Sequence, residues 1–249
     1  MDKHFVEDRS VLSREGDEPL RQLAYGPLPD QVADVYQQSE ANNPVLLLLH
    51  GGFWQQEFDR THCRPMAAHL AAMGFTVVVP EYRRVNGAGG WPQTFDDVHA
   101  AFNHVVALFQ VPVVLVGHSA GGQLALWLAA SNPDASVVGV VALAPIVDLG
   151  EAAKLHLGDG AVVKVMGGSP SSVPDRYQRV DPARLSTPTP TTVIVHGSFD
   201  SVVPVALSRQ YSATRTTVQL IEPACGHFEI IDPKASAFSD VLAALNGLV

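Results

Sequence analysis

Short runs of uninterrupted apolar residues recur along the chain and constrain its fold more than any other feature. Residues 45–49, 112–116 and 137–143 are three of these runs. A strand that faces solvent on one side alternates apolar and polar residues, whereas a strand covered on both faces is apolar throughout. Ala- and Leu-rich stretches of helical length separate the runs, which is typical of βαβ units. The sequence therefore predicts an α/β fold with a mostly parallel central sheet and helices on both faces.

The same alternation predicts the individual elements. A Pro/Gly-rich turn at residues 26–30 separates residues 20–25 from 31–36, which suits an antiparallel pair at one edge of the sheet. The seven main strands are predicted at 31–36, 45–49, 76–80, 112–116, 137–143, 192–195 and 218–221, and the helices at 64–73, 94–109, 120–130, 204–214 and 234–248.

The composition fits one domain covering residues 1–249. Only 16% of the residues are charged and 47% are hydrophobic, which excludes disorder as the main state. Residues 149–190 break the alternation of strands and helices, and we expect them to form a small cap above the carboxyl ends of the strands, where open α/β sheets bind ligands. Such a short cap favours an open pocket and small substrates.

The charge balance limits the partners of the chain. Sixteen Lys and Arg against 25 Asp and Glu give a formal net charge of -9, which argues against a nucleic acid and against an anionic membrane surface. The longest apolar runs are shorter than the roughly 18–20 residues that cross a bilayer. Residues 1–21 lack the apolar core of a secretory signal, so we expect a cytoplasmic location. Cys63 and Cys225 have no metal-site spacing, and we expect neither a metal nor another cofactor.

A candidate nucleophile follows the fourth predicted strand. Gly117-His118-Ser119-Ala120-Gly121 matches the pattern G-x-S-x-G and leads directly into a helical stretch. A strand that reverses into a helix leaves no room for a Cβ at the two glycines, and the turn pushes the serine side chain clear of the sheet. Free N–H groups at the helix N-terminus favour developing negative charge. Ser119 is therefore the predicted nucleophile.

A serine hydroxyl needs a base to take its proton, and the base needs a carboxylate to orient it. Asp200 lies after the sixth predicted strand and His227 after the seventh. The chain order Ser, Asp, His is one of the known arrangements of a serine triad. Asp148, after the fifth strand, is the alternative carboxylate. We predict a catalytic triad of Ser119, Asp200 and His227.

Two glycines after the second predicted strand suit an oxyanion hole. The sequence there is His50-Gly51-Gly52-Phe53-Trp54. Glycine lets the main chain approach a substrate and frees N–H groups from the sheet. We predict that the amides of Gly52 or Phe53, together with that of Ala120, stabilise the oxyanion. The alternative is a tight turn with no further role.

Aromatic side chains lie in or beside the predicted loops at the strand ends. They are Trp54, Trp91 and Phe228. Large apolar side chains in such loops can form a pocket for an acyl or aryl group, although they can also cap the core. We predict that all three line the substrate pocket.

From the His50-Gly51-Gly52 motif to the His227 loop, the chain resembles the α/β-hydrolase superfamily. Within it, His50-Gly51-Gly52-Phe53-Trp54-Gln55 is similar to the branch that contains kynurenine formamidase (arylformamidase) and small carboxylesterases. Phe53 stands where an H-G-G-G motif has its third glycine and where the formamidase pattern usually has Tyr. The resemblance implies a metal-independent serine hydrolase acting on carboxylic esters or on an N-formyl amide.

These observations lead to one primary function and two alternatives. We expect a carboxylesterase that cleaves esters of small acyl or aryl groups through an acyl-enzyme. Arylformamidase activity on N-formylkynurenine is the alternative, and a non-catalytic binding protein of the same fold is the third reading. The expected partner is a small-molecule ester or formamide, and an edge strand or an apolar helix face could also support a homodimer.

Overall fold

In the computed structural model, which describes residues 6–37, 44–132 and 136–248, a single sheet organises the chain. Within these ranges the strands follow the spatial order β1-β2-β4-β3-β5-β6-β7-β8. Strands β1 and β2 pair antiparallel, as do β2 and β4, and all other neighbours are parallel. This confirms the predicted fold class. The strands are β1 Arg21–Ala24, β2 Val32–Tyr36, β3 Val45–Leu49, β4 Thr76–Pro80, β5 Val113–His118, β6 Val137–Leu143, β7 Thr191–Val195 and β8 Val218–Ile221.

Helices cover both faces of the sheet and create two hydrophobic cores. Leu47 and Leu49 of β3 enter one core, and Leu46 and Leu48 enter the other. Because both faces of β3 are buried, the strand has no polar position, which is the pattern that the sequence displays. The helices are α1 Arg64–Ala72, α2 Gln93–Phe109, α3 Ala120–Ser131, α4 Leu149–Lys154, α5 Leu157–Met166, α6 Pro174–Val180, α7 Val205–Ala213 and α8 Phe238–Asn246.

The predicted elements match the structure closely except near the last helix. The sequence predicted a helix from residue 234, whereas α8 begins at Phe238. Asp232 accounts for the difference, because its side chain accepts a hydrogen bond from the N–H of Lys234 at 2.9 Å and its carbonyl accepts one from Ala235 at 2.9 Å. These bonds form a turn that competes with helix. No helix in the described ranges combines the length and the apolarity needed to cross a bilayer.

Residues 149–190 form α4, α5, α6 and a short 3-10 turn at Pro182–Arg184. The start of α5 is irregular, with positive φ at Gly158, Asp159 and Gly160. This irregular turn packs beside the loop that follows β3, where Nε2 of Gln55 donates to the carbonyl of Gly158 at 3.4 Å. The segment therefore supports the loop predicted to hold the oxyanion.

Candidate active site

Ser119 occupies a strained turn between β5 and α3. Its backbone has φ 56° and ψ -116°, a conformation that residues other than glycine rarely adopt. A Cβ at Gly117 would lie 2.2 Å from the carbonyl oxygen of Gly121, and one at Gly121 would lie 2.1 Å from that of Leu49. The N–H of Ser119 donates to Leu143 of β6 at 2.8 Å and ties the turn to the sheet. Glycine at both flanking positions is thus a steric requirement of the turn.

The loops after β7 and β8 bring Asp200 and His227 together. Nδ1 of His227 lies 2.6 Å from Oδ2 of Asp200. The other carboxylate oxygen accepts hydrogen bonds from the amides of Val202 and Val203 at 2.8 and 2.7 Å. Asp148 instead accepts a hydrogen bond from the N–H of Glu151 at 2.7 Å and caps α4. Of the two candidate carboxylates, Asp200 is the one that contacts the histidine.

A second imidazole helps to keep Asp200 ionised. Nε2 of His196 lies 3.1 Å from Oδ2 of Asp200 and 2.9 Å from the carbonyl oxygen of Val203. Both neighbours accept hydrogen bonds, so Nε2 carries the proton. Burial by itself would raise the pKa of Asp200, but the hydrogen bonds from His196 and His227 outweigh it and hold that pKa well below its usual value. An ionised Asp200 keeps a proton on Nδ1 of His227 and leaves Nε2 free to accept one.

His118, which precedes the candidate nucleophile, contacts the main chain of His227. Its Nε2 lies 3.0 Å from the carbonyl oxygen of His227, so this nitrogen carries the proton and donates. Burial, and next the neighbouring His227, lower the pKa of His118 well below its usual value. The ring is therefore a neutral donor that fixes the position of His227.

The loop after β3, predicted to form an oxyanion hole, follows a left-handed path. Gly52, Phe53 and Trp54 have φ of 106°, 51° and 56°. This left-handed run turns the main chain away from the sheet. Among the described residues, the amides of Gly52, Phe53 and Ala120 have no hydrogen-bond acceptor. Gly52 and Phe53 face the same cavity as Ser119, so their N–H groups are available to a substrate oxygen.

Of the candidate residues, Ser119, His227, Gly52 and Phe53 line one small cavity. Its volume is about 120 Å³, well below the roughly 300–1,000 Å³ of a pocket for a drug-sized ligand. A short acyl group matches this size. The lining consists of Arg9, Leu12, Gly52, Phe53, Phe58, His62, His118, Ser119, Val202, His227 and Phe228.

Of the three aromatic residues predicted to line the substrate pocket, Phe228 lines this cavity, whereas the prediction is corrected for Trp54 and Trp91. The ring of Phe228 stands edge-on to His227, with a centroid distance of 4.9 Å. Trp54 is fully buried in the core, because the left-handed turn directs its side chain back beneath the loop. Trp91 lies in a separate surface groove beside Phe95 and Trp127. Neither tryptophan lines the cavity.

Sequence reasoning did not identify Arg9, Leu12, Phe58 and His62 as lining residues. None of them belongs to a motif, and residues 6–14 have a charged, aperiodic composition that gives no signal of their position. Burial lowers the pKa of His62 to about 4, so its imidazole is neutral near pH 7. Across the described ranges, no group of three or more His, Cys, Asp or Glu side chains is placed to hold a metal ion.

Comparison with known proteins identifies the family and the fold of the chain. The BD-FAE family model matches residues 33–214. Esterase LipC of Mycobacterium tuberculosis is 26% identical over 244 residues, which cover 85% of this chain and 60% of LipC. The chain thus spans 60% of the length of that curated relative.

Two solved structures share the fold. A truncated carbohydrate esterase from gut microbiota has a TM-score of 0.76 and 19% identity, covering 93% of this chain and 99% of that one. Esterase B from Lactobacillus rhamnosis, inhibited by a tributyrin phosphonate, has a TM-score of 0.75 and 18% identity, covering 96% of this chain and 89% of that one. The sheet is that of an α/β-hydrolase, and because the family model covers most of the sequence, this chain belongs to the BD-FAE family.

Proposed function

We propose that the protein is a serine hydrolase that cleaves esters of small acyl groups through an acyl-enzyme. The observation that carries the proposal is the 2.6 Å contact between His227 and Asp200 at the cavity that Ser119 also lines. This arrangement supplies a nucleophile, a base with a free Nε2 and an ionised carboxylate. The esterase names of LipC and of the structural neighbours support ester hydrolysis.

In the first half-reaction, the Oγ of Ser119 attacks the acyl carbon while Nε2 of His227 takes the hydroxyl proton. The carbonyl oxygen becomes negatively charged, and the amides of Gly52 or Phe53 and of Ala120 stabilise it. The bond between the acyl carbon and the alcohol oxygen then breaks. The His227 imidazolium donates its proton to the leaving oxygen, which departs as an alcohol.

In the second half-reaction, water attacks the acyl group on Ser119. His227 takes one proton from the water, and the same amides stabilise the second tetrahedral intermediate. When the bond to Oγ breaks, His227 returns the proton to Ser119 and the carboxylic acid leaves. The enzyme is regenerated with the protons that it began with.

The key test compares Ser119→Ala with the native protein on p-nitrophenyl acetate. Loss of the nucleophile is expected to lower kcat by a factor of about 10³ or more, because only the amides and binding remain to accelerate the reaction. Ser171→Ala, at an exposed serine of the 149–190 segment, is the matched control and should keep native activity. A fluorophosphonate should modify Ser119, as read by mass spectrometry.

Two outcomes would contradict this mechanism. Ser119→Ala could retain native ester hydrolysis, or the fluorophosphonate could leave Ser119 unmodified while the protein is folded. The second result would favour the non-catalytic binding protein, which keeps the fold and the cavity without turnover.

Arylformamidase activity is a second candidate, favoured by the motif His50-Gly51-Gly52-Phe53-Trp54, which is similar to the formamidase pattern except at Phe53. Formyl is the smallest acyl group, and the cavity of about 120 Å³ accommodates it. The two candidates separate on kcat/KM for N-formylkynurenine against p-nitrophenyl acetate and butyrate. A formamidase should prefer N-formylkynurenine by orders of magnitude, whereas a carboxylesterase should prefer the esters.

A further inference from the structure

Residues 6–14, which we call the strap, lie against the proposed active site. The family model begins only at residue 33, so the family match does not include the strap. Val11 is 1% exposed and packs into one of the two cores. Arg14 forms an ion pair with Asp232, beyond the His227 loop. The strap is therefore held by both packing and charge.

Glu7 of the strap connects the two loops that carry the base and its carboxylate. One of its oxygens accepts a hydrogen bond from the N–H of His227 at 2.8 Å. The other accepts from the N–H and the hydroxyl of Ser201, at 2.8 and 3.1 Å. Ser201 directly follows Asp200, so a single carboxylate bridges the loops after β7 and β8. Hydrogen bonds to an ionised acceptor are the stronger kind.

His227 is consequently held at three of its polar groups. Glu7 accepts from its N–H, His118 donates to its carbonyl, and Asp200 contacts Nδ1 of its ring. His118 and Asp200 belong to the strand ends of the sheet, whereas Glu7 comes from the strap. The hydrogen bond from the N–H of His227 to Glu7 therefore depends on a segment that is far away in sequence.

We propose that Glu7 is a positioning residue for His227. By bridging the two loops, its carboxylate fixes the distance between His227 and Asp200 and the orientation of the His227 ring at the cavity that Ser119 also lines. A misplacement of about 1 Å in a catalytic group can reduce the rate by a factor of about 100. This inference rests on the proposed serine-hydrolase function, but one of its tests requires no turnover.

The kinetic test uses Glu7→Ala, Glu7→Gln and a control, Glu15→Gln. Glutamine keeps one acceptor oxygen but cannot accept from both loops, whereas alanine keeps none. We expect kcat on p-nitrophenyl acetate to fall by a factor of about 10–100 for Glu7→Ala, with KM changed less than about 2-fold. Glu7→Gln should lie in between. Glu15 is an exposed acid of the same region, and Glu15→Gln should behave as the native protein.

A spectroscopic test observes the base directly. The proton in the 2.6 Å contact between His227 and Asp200 should give a far-downfield proton NMR signal in the free protein. Glu7→Ala should broaden or remove this signal, and Glu15→Gln should preserve it. Asp200→Asn identifies the signal, because the contact that produces it is lost.

The outcomes separate this inference from the proposed function. Native protein without Ser119-dependent turnover, but with a signal that depends on Glu7, would reject the function and support the positioning role. If Glu7→Ala keeps both native kcat and the downfield signal, the positioning role is rejected. It is also rejected if activity falls only in proportion to the folded fraction measured by thermal unfolding, with the signal intact.

An independent observation on the strap concerns charge at the cavity. Arg9 and Leu12 both line it, and the guanidinium carbon of Arg9 lies 5.4 Å from the ring centroid of Phe228. Of the described residues that line the cavity, Arg9 is the one with a permanent charge. Among the described residues it has no carboxylate partner, in a chain whose formal net charge is -9. We infer that Arg9 favours ester substrates that carry a carboxylate.

Matched substrate pairs test this preference on either side of the ester bond. The pair 3-acetoxybenzoate and 3-acetoxybenzamide places the charge on the leaving group. The pair mono-p-nitrophenyl adipate and p-nitrophenyl hexanoate places it on the acyl group. For Arg9→Gln, the ratio of kcat/KM for the anionic to the neutral member should fall by a factor of about 5–10 in one pair. The pair that responds identifies the charged part of the substrate.

Arg21→Gln is the matched control, because it removes the same charge from the exposed edge strand β1. Its ratios should equal the native ones. Unchanged ratios for Arg9→Gln in both pairs would overturn the inference, and so would an equal fall in Arg21→Gln, which would indicate only the overall charge. Ser119→Ala, measured on the same four esters, separates a failure of the proposed function from a failure of this specificity.

Discussion

Two buried carboxylates of this protein each contact a histidine, and only one of these pairs faces the cavity. Oε1 of Glu81 lies 2.9 Å from Nε2 of His50, behind the candidate oxyanion loop. Oδ2 of Asp200 lies 2.6 Å from Nδ1 of His227, whose ring lines the cavity. The residue types are nearly the same, and the distances differ little.

The remaining partners of the two carboxylates make the difference. Glu81 also contacts the guanidinium groups of Arg60 and Arg84, which are permanent cations, and His50 has no exposed surface. Asp200 has no arginine partner among the described residues, and its other neighbours are an imidazole and two backbone amides. A carboxylate–histidine pair held beside permanent cations can stabilise the loop around it. A carboxylate–histidine pair that opens onto a cavity can in addition exchange a proton with a substrate.

The largest expected effect comes from breaking the pair at the cavity. Asp200→Asn should lower kcat on p-nitrophenyl acetate by a factor of about 10³–10⁴, because a neutral amide no longer keeps the proton on Nδ1 of His227. Asp148→Asn is the matched control. It keeps an oxygen that can cap α4 and removes only the negative charge at the helix N-terminus, so it should reduce stability by roughly 0.3–1 kcal/mol and leave kcat nearly native. A loss below 10-fold for Asp200→Asn would show that Asp200 does not orient the base.

Breaking the pair behind the oxyanion loop should affect stability first. Glu81→Gln leaves Arg84, which is 3% exposed, without its close carboxylate partner. The expected decrease in the free energy of unfolding is about 3–5 kcal/mol, typical of a buried ion pair that loses one member. Urea denaturation measures it. An unfolding free energy equal to the native value would show that the contacts of Glu81 do not stabilise the fold.

Acid should destabilise the protein through two histidines that line the cavity. Burial lowers the pKa of His62 to about 4 and holds that of His118 well below its usual value, so both rings stay neutral in the folded protein near pH 7. The unfolded chain binds protons at these rings below their ordinary pKa of 6.5, and stability should therefore fall as the pH drops from about 6.5 toward 4.

Urea denaturation at pH 7 and pH 5 checks this expectation. The free energy of unfolding should fall by about 2 kcal/mol or more, and His62→Gln should reduce the fall. Asp200 contributes with the same sign in a lower window, because the stabilisation from its lowered pKa is fully present above the ordinary aspartate value of 3.8 and is lost progressively as the pH falls below it. Equal stability at pH 7 and pH 5 would contradict the neutral assignment of the histidines.

The smallest expected effect concerns the contact that supports the candidate oxyanion loop. Gly158 has φ +57°, and a Cβ there would lie 2.5 Å from the ring of Phe53. Gly158→Ala should reduce stability by about 1–2 kcal/mol and lower kcat through displacement of Phe53. Gly74→Ala is the control, since its φ of +98° carries similar strain but nothing lies within 4 Å of the added Cβ. Equal kcat losses in both variants would show that the contact with Phe53 is unimportant.

The sequence by itself determined those features whose causes are local. Uniformly apolar runs specify strands with two buried faces, and the glycines beside Ser119 are required because a Cβ at either would overlap the backbone. The order of Ser119, Asp200 and His227 along the chain could likewise be read directly, since each follows a recognisable strand.

Only the tertiary structure decided which side chains meet around Ser119, Asp200 and His227. Glu7 contacts His227 across 220 residues of sequence, and Trp54 turns into the core although its neighbour Phe53 faces the cavity. No periodicity or motif encodes such contacts, because they depend on where distant loops converge. The identity of the candidate reactive groups is therefore a local property of this chain, whereas their support and the charge at the cavity are properties of the folded whole.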